Sequence, residues 1–146
     1  MVEIGRLWII FRAVKTITIF LALVASAFAG DRCLTQGEAW ASAMADAIAS
    51  GGTVVRIAPT GSMKPCLDEK SLVVIVNRGV DSIKRGEIVV YRNSGGNLVI
   101  HRAVNKPLFG GKSWIVKGDA NVLCDREYVS SRNYVGVVVR TFSFED

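Results

Sequence analysis

The sequence predicts a mainly β fold: a curled antiparallel sheet, tending to a partly open barrel, with one helix ahead of it. Three observations carry this reading. Six short segments rich in β-branched residues follow one another between Thr53 and Phe142. Clusters of Gly, Asn, Lys, Arg and Ser punctuate them, at Asn77-Arg78-Gly79, Lys84-Arg85-Gly86, Asn93-Ser94-Gly95-Gly96 and Gly110-Gly111. No helical periodicity intervenes, which argues against parallel βαβ units and leaves strands joined by turns.

The helix comes first, over about 35–50. Thr35-Gln36-Gly37-Glu38 fits a capping box, in which the Thr hydroxyl takes a backbone N–H and the Glu carboxylate reaches back. Trp40, Ala43, Met44, Ala47 and Ile48 then recur at helical spacing, the expected core face. Gly51-Gly52 closes the helix. The strands expected in the β-domain of 53–142 are 53–58, 71–76, 87–92, 97–104, 113–117 and 134–142. Neither internal repeats nor a linker divides residues 30–146, which are expected to form a single domain.

The first 29 residues differ in kind. Arg6, Arg12 and Lys15 stand against Glu3 alone, and an uncharged run from Thr16 to Ala29 comes after them. The run matches a signal-peptide apolar region and is short for a bilayer, which needs about 20 residues. It ends in Ala27-Phe28-Ala29, a small-x-small cleavage pattern. Residues 1–29 are expected to be an export signal, with an uncleaved membrane anchor as the other reading. The positive charges ahead of the run favour export of residues 30–146.

Composition narrows the chemistry. The chain has 146 residues, 18 Lys plus Arg, 13 Asp plus Glu and one His, for a net charge of +5. The basic residues are dispersed, so no nucleic-acid partner is expected. Three Cys and one His lack the paired spacing of a structural zinc site, so neither metal nor cofactor is expected. In an exported chain, Cys33, Cys66 and Cys124 allow one disulfide and leave one thiol over; the alternative is three buried thiols. Any mechanism that needs an imidazole must use His101.

Three segments are candidates for chemistry. Ala58-Pro59-Thr60-Gly61-Ser62-Met63-Lys64-Pro65-Cys66-Leu67 holds two prolines and a glycine around Ser62, which impose a fixed, non-helical loop. Val99-Ile100-His101-Arg102-Ala103-Val104 places the one histidine in a strand. Lys117-Gly118-Asp119-Ala120-Asn121 precedes Cys124-Asp125-Arg126. Taken singly, these read as a turn serine, a packed strand histidine and a turn at a strand end.

Together and in this order they resemble the signal peptidase family of serine proteases, in its branch with a Ser-His pair. Gly61-Ser62-Met63-Lys64-Pro65 resembles the nucleophile box, and Ile83 to Tyr91 the Ile-x-x-Gly-Asp-Ile-Val-Val-Phe strand. Ile100-His101-Arg102-Ala103-Val104 resembles the block that supplies the base. Lys117 to Asn121, with Asp125 six residues after Asp119, resembles the Lys-Gly-Asp-Asn-Asn…Asp block. The resemblance spans roughly residues 54–140. Cys66 departs from it, standing where Thr is usual. A capped helix also separates Ser62 from the apolar segment, which suits a specialised exported relative such as the maturation peptidases of conjugative transfer.

The resemblance implies a serine endopeptidase that cuts exported or membrane-associated proteins after small residues. Ser62 would be the nucleophile and His101 its base; an imidazole, with an ordinary pKa near ~6.5, accepts a proton near neutrality. Asp119 is the first choice to orient the imidazole and Asp125 the second. The Ser62 N–H and, by the resemblance, the Thr60 hydroxyl would hold the oxyanion. Val55, Ile57, Pro59, Met63 and Ile100 would line the groove for an extended substrate. Cys66 is a candidate to bridge Cys33 or Cys124. Expected partners are a protein or peptide substrate and a membrane, secretion or conjugation complex. The alternative is a non-catalytic β-domain of the same fold that binds an extended peptide or a partner protein.

Overall fold

Residues 71–76 explain the architecture best, because Ser-Leu-Val-Val-Ile-Val has no polar alternation. A strand of that kind must be covered on both faces. In the computed structural model, which describes residues 33–108 and 111–145, it is covered in just that way. The expected export segment, residues 1–29, lies outside the described residues.

In chain order the elements are β1 (Leu34–Thr35), α1 (Gln36–Ser50), β2 (Thr53–Arg56), β3 (Ser71–Val76), β4 (Ile88–Arg92), β5 (Leu98–Asn105), β6 (Ile115–Lys117) and β7 (Tyr134–Glu145). A short 3-10 turn, Val80–Ser82, precedes β4. The sheet order is β2-β3-β7-β4-β5-β6, with every pairing on this path antiparallel. β1 adds a two-residue parallel pairing to the end of β7. The fold is therefore mainly β, with β2 and β6 as the two ends of a curled, unclosed sheet.

The long β7 is shared by two halves of the sheet. Its C-terminal part pairs with β3 and its N-terminal part with β4. Bulges fall between Val74 and Ile75 and between Val90 and Tyr91, where the sheet bends. Three apolar clusters fill the resulting concavities. Leu72, Val74 and Phe144 pack on α1 through Ala39, Ala43 and Ala47. Val73, Ile75 and Val90 pack with Ile57, Met63 and Leu67. Val89, Tyr91, Ala103, Trp114, Val116 and Val129 form the third, with Val80 and Ile83.

The helix is capped as expected. The Thr35 hydroxyl accepts from Glu38 N, the Glu38 carboxylate accepts from Thr35 N at 2.9 Å, and Gly51 ends the helix in the left-handed region. Such a cap contributes about 1 kcal/mol. Its buried face differs from the expectation. Ala39, Ala43 and Ala47 touch the sheet and Trp40 packs at its side, whereas Met44 and Ile48 are 49% and 79% exposed. Alanines let the helix backbone come close to Leu72, Val74 and Phe144, and the longer side chains are turned outward.

Candidate active site

The segment between β2 and β3 carries Ser62 on a tightly bonded loop. Ile57 N donates to Ser71 O, Thr60 N to Ala58 O, Lys64 N to Gly61 O and Leu67 N to Met63 O. Gly61 sits at φ 72°, a conformation that a side chain would strain, and so turns the chain just before Ser62. Met63 and Leu67 are 2% and 1% exposed and pin the loop to the core. Full burial of such a side chain contributes about 1.5–3 kcal/mol. Ser62 is thus the partly exposed residue of a loop held down on either side.

The loop after β6 clamps the same backbone. Ala120 N donates to Ser62 O at 2.9 Å. Gly118 lies so close that a Cβ there would stand 2.6 Å from Ser62 O. Further on, Asp125 N donates to Val116 O at 2.9 Å, which folds the loop back over β4 and β5.

His101 arrives from β5, opposite Val89 of β4. It is 8% exposed. Its Nε2 lies 3.1 Å from Ser62 Oγ, and its Nδ1 lies 2.5 Å from Asp125 Oδ2. A carboxylate only accepts hydrogen bonds, so Nδ1 carries the proton and the Nε2 lone pair points at the serine hydroxyl. The same Asp125 oxygen accepts a second bond, from the Tyr91 hydroxyl, at 2.5 Å. Burial, followed by this bond, raises the Tyr91 phenol above its ordinary range. Thr60 Oγ1 stands 3.4 Å from Ser62 Oγ on the open side.

The structure places Asp119 elsewhere than expected. Arg102 Nε and Nη2 donate to its two oxygens at 2.8 and 2.6 Å, while Nη1 donates to Gly86 O. Asp119, the first-choice orienter, is engaged by this bidentate pair; the carboxylate at His101 belongs to Asp125. The reason is alternation along β5, which sends neighbouring His101 and Arg102 to opposite faces. The carboxylate pair in turn pushes Arg102 above its already high range.

The expected disulfide is corrected as well. Cys33, Cys66 and Cys124 are all free and exposed, which also excludes three buried thiols. Cys33 lies by Glu145, and Cys66 lies against Arg102.

An open cleft of about 390 Å³ runs past Ser62 and His101. Val55, Ile57, Met63 and Ile100 of the expected groove line it, with Met63 as buried floor. Pro59 does not line it. Arg56, Ala58, Leu67, Leu98 and Val99 do, and of these Leu67 lies outside the two segments, 55–59 and the strand ending near His101, expected to pair with a substrate. Leu98 carries a signal, since it shares the Ile100 face of β5 by alternation. The walls are β2 and β5. Among the described residues no group of three or more His, Cys, Asp or Glu side chains is placed to hold a metal ion.

No family model matches the chain. It is similar to curated proteins named signal peptidase complex catalytic subunit SEC11. The protein of that name from Leptosphaeria maculans is 32% identical over 93 residues, 60% of this chain and 53% of the relative. Those from Pyrenophora tritici-repentis and Pyrenophora teres f. teres are each 36% identical over 81 residues, 52% of this chain and 46% of the relative. The chain therefore spans about half the length of the curated relatives it matches.

Proposed function

We propose that the chain is a serine endopeptidase of the signal-peptidase type, cutting exported or membrane-associated proteins after small residues. The observation that carries this reading is the continuous line from Ser62 Oγ through His101 to Asp125, at 3.1 and 2.5 Å, opening on an apolar cleft. The similarity to signal peptidase catalytic subunits supports it. By itself a line of this kind recurs on unrelated folds, so the relatives narrow the substrate class.

The proposed steps follow from this arrangement. An extended substrate lies between β2 and β5, with its small side chains toward Ile57 and Ile100. His101 Nε2 takes the Ser62 proton as Oγ attacks the scissile carbonyl carbon. Asp125 stabilises the imidazolium that forms. The Ser62 N–H and the Thr60 hydroxyl hold the oxyanion; one such donor is worth about 3–4 kcal/mol of barrier. The imidazolium then returns its proton to the leaving amine, and water attacks the acyl-enzyme with His101 as base again. Asp119 acts through structure, tying Arg102 to the loop that clamps Ser62. Residues 1–29, as export signal or anchor, would bring the enzyme to the extracytoplasmic side of a membrane.

The test uses the full chain in detergent micelles with a peptide carrying an Ala-x-Ala stretch. Ser62→Ala and His101→Ala should each abolish cleavage while circular dichroism stays unchanged. Full activity of either variant would refute the reading. Peptide binding with no turnover by the unmodified chain would favour the non-catalytic alternative.

A further inference from the structure

We propose that Tyr91 is a positioning residue for this site: its hydroxyl fixes the Asp125 carboxylate against His101 and sets how firmly that carboxylate holds the imidazolium. The proposal rests on the peptidase reading for its consequence in catalysis, and on geometry for the rest.

The ladder between β4 and β5 pairs His101 with Val89 and Tyr91 with Val99. Tyr91 and His101 are therefore diagonal neighbours on one face of the sheet. Diagonal pairs stand about 7–8 Å apart, near enough for one carboxylate to touch both side chains. Asp125 fills that place. A single oxygen, Oδ2, accepts from both Tyr91 Oη and His101 Nδ1. The Asp125 main chain is fixed by its N–H to Val116 O, but its side-chain torsions need a second constraint, which the phenol supplies.

The phenol is itself immobile. Tyr91 is 3% exposed, and its ring packs among Val89, Trp114, Val116 and Val129. Other charged or titratable groups face this cluster. Glu127 acts on Tyr91 from the same loop as Asp125, Lys106 lies over the Trp114 ring, and Tyr134 of β7 packs against the cluster. None of these changes when the Tyr91 hydroxyl alone is removed.

The chemical consequence has a definite sign. A donated hydroxyl drains charge from the oxygen that pairs with the imidazolium. In Tyr91→Phe that oxygen serves His101 alone, so the ring protonates at higher pH. The carboxylate also loses a constraint, so turnover falls while substrate contacts in the cleft stay intact.

The chain has one histidine, so the ring ε1 proton gives a single NMR titration. Tyr91→Phe in the full chain should move its midpoint upward by about 0.5–1 pH unit, the size of one hydrogen bond. With a peptide substrate, kcat should fall about tenfold with KM nearly unchanged. The titration decides. An unmoved midpoint overturns the proposal even if peptide is cut normally, and then the peptidase reading stands. A moved midpoint in a chain that cuts nothing supports the proposal and sinks the peptidase reading instead. If Tyr91→Phe does not fold, the unmodified protein labelled at tyrosine Cζ gives the same answer. There the Tyr91 signal should track the His101 titration, and a flat signal overturns the proposal.

Discussion

Asp125 Oδ2 stands 2.5 Å from His101 Nδ1, with both side chains nearly buried. This contact fixes which imidazole nitrogen carries the proton, and so leaves Nε2 free to accept from Ser62. Asp125→Asn keeps the shape but presents an amide that can donate to Nδ1, favouring the wrong tautomer. Cleavage by Asp125→Asn should fall by about ten-thousandfold with the fold retained. Asp119→Asn should cost far less, because Asp119 acts on Arg102. Steady-state rates of the two variants under one assay check this; equal losses would contradict the assignment.

Gly118 makes the clamp on Ser62 possible. A methyl there would meet Ser62 O at 2.6 Å and the Asn121 amide at 2.7 Å, so the loop must withdraw. Gly118→Ala should lower kcat by at least about tenfold, since small misplacement of a nucleophile is costly. Gly37→Ala is the control. Gly37 lies in α1 with open space around it, and alanine there should stabilise the fold by up to about 1 kcal/mol. Urea midpoints and rates for both variants separate the two effects.

Acid should destabilise the protein through two surface carboxylates. Asp68 accepts from the Ser71 hydroxyl and from Lys70 N, both at 2.9 Å, and is held below its ordinary range. Glu127 accepts from the Ser94 hydroxyl at 2.6 Å and from Ser94 N, with the same result. A carboxyl lower in the folded than in the unfolded chain stabilises the fold above its unfolded value. That contribution is lost as pH falls through the lower folded value. Tm should therefore hold between pH of about 7 and 5 and drop below about 4. Ser94→Ala should shrink the part of that drop that belongs to Glu127; an unchanged acid slope would contradict the assignment.

The β-branched runs made the strands legible, and their bounds differ from the expectation by a few residues only. The two-residue β1 carries no pattern that sequence could reveal, since its partner lies at the far end of the chain. On α1, two adjacent stripes fit the same helical period, and side-chain size favoured Trp40, Met44 and Ile48. The sheet surface instead selected Ala39 beside the expected Ala43 and Ala47, a matter of how closely two backbones approach. At the site, Ser62 and His101 stood out by company and order. The choice between Asp119 and Asp125 was not legible, because it depends on how the loop after β6 folds back through Asp125 N and Val116 O. Tyr91 gave no signal at all. In Val89-Val90-Tyr91 it reads as one more strand aromatic, and its hydroxyl gains a role only when that loop brings a carboxylate to it.

The most direct measurement is mass spectrometry of a peptide with one Ala-x-Ala stretch, incubated with the full chain in water enriched in oxygen-18. Attack by Ser62 and hydrolysis of the acyl-enzyme should yield a single new C-terminus after the second alanine, carrying one heavy oxygen. His101→Ala should leave the peptide whole. An intact peptide with the unmodified chain, or equal cutting by His101→Ala, would contradict a Ser62–His101–Asp125 peptidase.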